Sequence, residues 1–230
     1  MASTPKKQAA GKARPNPRAE AKRAAERRQR ILMVAGGIGV LLLAVLIAVF
    51  STQEAGQRVT VDDVAGDVEV TGDTLAPLDG DPAADPVRGA QAPRVAGADF
   101  DGTPVEIGGT GRPQLVTFMA SWCPACQQEL PILTTWLNEG GLPDEVDIVA
   151  VATSLDAGRP NWPPQDWFEE VGYPGPVLVD DAQSSVARAF GLSATPFWVA
   201  VDGDGQVVQR SAGMIPMEQL DALAAQLATS

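Results

Sequence analysis

Hydrophobic and polar residues alternate in three regimes along the chain. In the first, Ile31 to Phe50 (ILMVAGGIGVLLLAVLIAVF) contains no charged residue. As a helix, twenty such residues reach about 30 Å, the thickness of a bilayer's hydrocarbon core. The run has no polar face, which argues against a buried core helix. It is longer than the roughly 7–15 residues of a signal-peptide core, and VFSTQEA is a poor cleavage site. The pattern predicts one uncleaved transmembrane helix over 31–50. In the second regime, residues 51–92 are dominated by Asp, Gly, Ala and Pro without periodicity. They are expected to form a flexible acidic linker, with a short strand at Val68–Val70; the alternative is an extension that packs onto the domain.

From Pro93 the pattern becomes that of a folded domain. Ala98–Phe100 and Pro104–Ile107 flank Asp101-Gly102 and predict a hairpin. Gln114–Ala120 and Val146–Thr153 read as buried strands. Between them Cys126, Leu130, Leu133, Trp136 and Leu137 recur at helical spacing. A helix over Pro164–Val171, a strand over Val177–Asp180 and a helix over Ala182–Phe190 ended by Gly191 follow. Phe197–Asp202 and Gln206–Arg210 predict a hairpin across Gly203-Asp204-Gly205, and Pro216–Ala228 an amphipathic helix. Alternating strands and helices imply an α/β sandwich with a mixed sheet over 93–230.

Charge adds an orientation. Residues 1–30 hold ten Lys/Arg against two acids, a local charge of +8. Residues 51–230 hold seven Arg, no Lys and 27 Asp/Glu, a local charge of −20. Basic residues directly before a span stay cytoplasmic, so the segment 1–30 is expected inside and everything after Phe50 outside. The acidic exterior argues against nucleic acid as a partner, since phosphates are repelled.

The 230 residues contain two cysteines, Cys123 and Cys126, and no histidine. A disulfide across so small a loop stabilises little, and stapled exported domains usually carry several bridges. Structural zinc needs about four ligands, which would have to be completed by carboxylates. A redox pair accounts for position as well as spacing. A strand feeding a helix that begins near Cys123 sets that sulfur at the helix's positive end, which favours thiolate. Cys126, one turn on, is placed to resolve a mixed disulfide. No flavin, haem or nucleotide motif is present, so no cofactor is expected beyond a Cys123–Cys126 disulfide.

The stretch FMASWCPACQQELP resembles the active site of thioredoxin-like proteins, and the order of elements from Ala92 to Ser230 is similar to theirs. The anchor, the ADFDGTPVEI hairpin and Cys123, Cys126, Glu129 and Pro131 in C-x-x-C-x-x-E-x-P spacing resemble the TlpA/ResA-like branch of membrane-anchored thiol–disulfide oxidoreductases. The resemblance implies a thioredoxin-like fold with an N-terminal hairpin extension. It implies a cis bond before Pro196, with Thr195 and Pro196 docking a partner's backbone. It further implies that Trp122, Pro124 and Ala125 line the site, with Trp122 shielding the redox pair, and that Glu129 tunes or relays protons. The competing reading of Glu129 is an exposed helix carboxylate. Pro131 is expected to bend the helix. Thr117 occupies the place of the buried Asp of typical thioredoxins.

Pro124 withdraws an amide, Ala125 adds no cation, and Glu129 would raise a thiol by like charge. The expected activity is therefore thiol–disulfide exchange with exported proteins, leaning to reductase, with a membrane thiol transporter or quinone-linked protein as electron partner. A disulfide-forming oxidase and a non-catalytic binding module are the alternatives. Asp202–Gly205 reads as a turn, lacking the glutamate of a calcium loop. Asn161–Phe168 (NWPPQDWF) is either a substrate-facing surface or packing for the inserted segment.

Overall fold

The computed structural model describes residues 27–28, 33, 35–39, 42–45 and 58–230. The described positions before 46 are helical. The rest of the basic segment, the rest of the expected span and residues 46–57 lie outside the described residues. Among the described residues no helix is long and apolar enough to cross a membrane.

Residues 59–230 form one compact unit. Its centre is a five-stranded sheet built from β4 (Gln114–Met119), β5 (Asp147–Ala152), β6 (Val177–Val179), β7 (Phe197–Val201) and β8 (Val207–Ala212) in the order β6-β5-β4-β7-β8. β4, β5 and β6 run parallel, while β7 and β8 are antiparallel to their neighbours. Every residue of β4 is buried, as expected for a central strand covered on both faces. Period-two alternation sends Leu115 and Met119 into one apolar cluster and Val116 and Phe118 into the other.

The first cluster lies under α2 (Pro124–Asn138), α3 (Pro164–Val171) and α5 (Met217–Leu227), through Leu130, Leu133, Trp167, Phe168, Leu220 and Leu227. The second lies under α4 (Ser185–Ala189) and a small antiparallel sheet of β1 (Glu69–Thr71), β2 (Arg94–Ala98) and β3 (Pro104–Ile107). This is the expected thioredoxin-like α/β sandwich with its N-terminal hairpin, but the first hairpin strand is Arg94–Ala98 rather than Ala98–Phe100, because Phe100 and Asp101 already form the turn. Asp202–Gly205 is a turn, its Asp202 Oδ1 accepting from the amides of Asp204 and Gln206. α4 starts later than expected. Asp181 Oδ1 accepts from the Gln183 and Ser185 amides, and Ser184 takes a left-handed φ of 54°, so 182–184 are a turn rather than helix.

The expected flexible linker is corrected over residues 59–92, which pack onto the domain. A short helix α1 (Val61–Val64) precedes β1. A Cβ at Gly66 would collide with the Val179 carbonyl oxygen, so glycine permits this close approach. Leu75 and Leu78 are buried, and their amides donate to the carbonyls of Ala189 and Gly191. Further on, Asp85 forms a bidentate ion pair with Arg210 of β8, both contacts at 2.8 Å and both side chains fully buried. Arg210 Nη1 also donates to Ala76 O and Phe190 O. The Gly/Pro/Asp composition provides the turns of a closely fitted strap, and a few long-range anchors hold it.

Candidate active site

β4 ends at Met119, and Ala120–Cys123 carry the chain into α2. Cys123 is the N-cap residue, with φ −76° and ψ 122°, and Pro124 occupies the first turn, where its missing N–H costs no helical bond. The Cys123 amide donates to Ala120 O at 2.9 Å, and its carbonyl accepts from Gln127 N at 3.0 Å. Both cysteines are free thiols. Cys123 retains 9 % exposure and Cys126, one turn on, none.

That difference separates the two thiols chemically. Burial raises Cys123, but hydrogen bonding with Thr195 and to the amides of Cys126 and Ala125 outweighs it, leaving the thiol below its ordinary value. Burial, followed by the charge of Cys123, pushes Cys126 up to about 12. The leading cause on Cys126 is thus desolvation, not the like charge of Glu129 that the sequence suggested. The first sulfur therefore ionises more readily than the second, which burial keeps protonated.

Thr195 and Pro196 meet the cysteines from the opposite side. The bond between them is cis, as expected, and Cys123 Sγ–H donates to the Thr195 carbonyl oxygen at 3.4 Å. A second cis bond, Trp162–Pro163, was not anticipated from sequence. Trp122 is half-buried against the cluster containing both cysteines. Its indole Nε1 donates to Ser154 O at 2.8 Å, and the Arg159 guanidinium lies 4.7 Å from its ring centre. Pro124 is exposed and Ala125 partly so, placing both on the rim.

Glu129 is not the exposed carboxylate of the simpler reading. It is 3 % exposed, and its oxygens accept from Trp198 Nε1 at 3.2 Å and the Ile215 amide at 2.9 Å. Burial raises its carboxyl above the ordinary value, and those two bonds offset this in part. Trp136 and Trp198 are core residues, yet each indole reaches a carboxylate, Trp136 to Asp221 at 2.6 Å. Helix α2 runs on through Pro131 to Asn138. Thr117 is fully buried opposite Trp198, and its hydroxyl has no hydrogen-bond partner, so the position offers no carboxylate to the cysteines.

Sequence reasoning missed Asn161 and Gln127. Both side-chain amides donate to Ser121 O, at 3.0 and 2.9 Å, and so steady the turn that presents Cys123. Asn161 does so from a left-handed φ of 57°, which asparagine tolerates. The only signal available was an Asn beside two prolines. The rest of NWPPQDWF mainly packs: Pro164, Trp167 and Phe168 are buried. Among the described residues no group of three or more Cys, Asp or Glu could hold a metal ion.

The profile of the Redoxin family matches residues 87–227. A thiol:disulfide interchange protein DsbE homolog of Paracoccus denitrificans is 31% identical over 105 residues, 46% of this chain and 53% of that protein. The thiol-disulfide oxidoreductase ResA of Bacillus thuringiensis is 27% identical over 137 residues, 58% of this chain and 74% of the relative. The chain thus spans about half the length of the first relative and three quarters of the second. A thiol:disulfide interchange protein of the thioredoxin family from Chlorobium tepidum superposes with a TM-score of 0.51 at 21% identity, covering 66% of this chain and 99% of that one, a likeness of fold alone. With the family profile running from the last residues of the strap through both cysteines, Thr195-Pro196 and α5, this chain belongs to the redoxin family.

Proposed function

We propose that the chain is a membrane-anchored, extracytoplasmic thiol–disulfide oxidoreductase that reduces disulfides of exported proteins through Cys123 and Cys126. The observation that carries this reading is the split between the thiols, one lowered at a helix N-cap and one pushed up to about 12 by burial. The names of the Paracoccus and Bacillus relatives support the same chemistry.

In the forward direction Cys123 thiolate attacks one sulfur of the partner's disulfide. The other sulfur departs as a thiolate and takes up a proton. Cys126 then loses its proton and attacks Cys123 Sγ, releasing the partner's second sulfur. The partner has gained two electrons and two protons, and the enzyme holds a Cys123–Cys126 disulfide. A dithiol donor, in our reading a membrane thiol-transfer protein, must return the two electrons; a quinone-linked protein would serve the opposite, oxidase direction, in which electrons leave the pair. The cis Thr195–Pro196 segment beside Cys123 suits docking of an extended partner backbone, with Trp122, Pro124 and Ala125 at the rim. Glu129, three residues beyond Cys126 on the buried side of α2, is suited to modulate its deprotonation.

Two features favour reduction over oxidation. A strong oxidant stabilises its thiolates, whereas here Pro124 withdraws an amide and burial disfavours the Cys126 thiolate. A potential near about −270 mV is expected, and one near about −120 mV would reverse the direction. The uncharged run 31–50 behind a basic leader supports the anchor and the outward orientation. Cys123→Ser should abolish reduction of insulin disulfides, and Cys126→Ser should accumulate mixed disulfides with exported proteins. Undiminished insulin reduction by Cys123→Ser would remove the catalytic assignment.

A further inference from the structure

Beside the turn that leads into Cys123, an open groove of about 640 Å³ lies between α2 and the inserted α3. Gln127, Thr134, Asn138, Asn161, Trp167 and Glu170 line it. Its upper end adjoins the catalytic turn, because Gln127 and Asn161 are the two side chains that donate to Ser121 O. Its walls are mostly amides and hydroxyls, which pair with peptide groups as both donors and acceptors.

Two features of its lining stand out. Thr134 is 6 % exposed, and its hydroxyl has no hydrogen-bond partner, an arrangement that costs free energy unless something completes it. Pro131 also lines the groove and has no N–H, so the Gln127 carbonyl lacks its i+4 donor. Thr134 and Pro131 thus both belong to the lining of the same groove.

We infer that this groove binds the polypeptide flanking the partner's reactive cysteine, as an extended, polar and preferably basic segment. This rests on the thiol-exchange reading and names the part of the substrate that it left open. With a rise of about 1.5 Å per residue, Gln127 lies about 6 Å and Asn138 about 22 Å along the helix from Cys123. An extended chain advances about 3.3 Å per residue, so the groove meets residues about two to seven positions from the partner's cysteine. The basic preference follows from charge. Glu170 is the one ionisable lining residue, and residues 51–230 together carry −20.

The test uses the full-length chain in detergent, with dithiothreitol recycling the enzyme. Substrates are glutathione mixed disulfides of cysteine peptides bearing one, four or eight residues on one flank. Wild-type kcat/KM is expected to rise about tenfold from one to eight residues on one flank, about what one or two net hydrogen bonds return. Lengthening the other flank should leave it unchanged. A Lys-bearing flank should exceed a Glu-bearing one severalfold at low salt, the gap narrowing with added salt. In Asn138→Trp, which fills the groove from an exposed position, the long-to-short ratio should fall to about one. Rates independent of flank length in the wild type, a preference for acidic flanks, or a full ratio in Asn138→Trp would each overturn the groove assignment. These outcomes leave exchange itself standing. Inactivity toward the shortest peptide would instead remove the thiol-exchange reading, and the groove's role with it.

Discussion

Selective alkylation of the reduced protein tests the separation of the two thiols directly. With Cys126 at about 12, only about 10⁻⁴ of it is thiolate at pH 8. Cys123 lies below its ordinary value of 9.0, so at least about a tenth is ionised at that pH. The ionised fractions therefore differ by at least about a thousandfold. The more basic thiolate is the better nucleophile, and with 9.0 as the upper limit for Cys123 a Brønsted slope of about 0.45 returns roughly twentyfold to Cys126. A net preference of about fiftyfold for Cys123 remains, and the complete burial of Cys126 adds to it. Iodoacetamide pulses between pH 6 and 10, quenched and resolved by peptide mass spectrometry, give both rates. The Cys123 rate should level off at a pH below 9, while the Cys126 rate should climb tenfold per pH unit across the range. Rates within fivefold of one another at pH 8, or faster labelling of Cys126, would refute the environment deduced for both sulfurs.

Other consequences concern buried carboxylates. Burial raises Glu129, so the fold prefers its protonated form; its favourable contribution is complete below about 4.5 and is lost as pH rises through the raised pKa. In urea unfolding the midpoint of the wild type should therefore fall relative to Glu129→Gln between pH 4 and 8, and a constant gap would show that burial does not act on this group. Asp85→Ala should cost about 3–5 kcal/mol, because it leaves the Arg210 guanidinium buried without its bidentate partner. Asp85 is lowered, chiefly by Arg210, so the pair's contribution is present at neutral pH and is lost as pH falls through the depressed pKa. A loss below about 1 kcal/mol at pH 7 would mean that the strap is held elsewhere.

Much of this molecule follows from short-range signals. Period-two and helical hydrophobic spacing located β4, β5, α3 and α5 to within a residue or two, because each reports which face of one element is buried. Cys123 and Cys126 were legible as two thiols one turn apart at a strand-to-helix junction, because both the spacing and the junction are local features. The strap was not legible. Asp85 and Arg210 are 125 residues apart, and nothing local distinguishes them from the solvated acids and arginines around them. Composition therefore read 59–92 as unstructured, although a handful of long-range anchors suffices to hold it.

The sequence by itself determined the strand–helix order, the place of the sulfur at a helix start, and the uncharged run with its basic leader. Each depends on residues within a few positions of one another. Only the tertiary structure decided that Glu129 is buried between Trp198 and Ile215, that Cys126 is held as a thiol, and that Asn161 reaches back to Ser121. Desolvation and pairing are properties of what packs against a group, and here those neighbours come from 40 to 86 residues away.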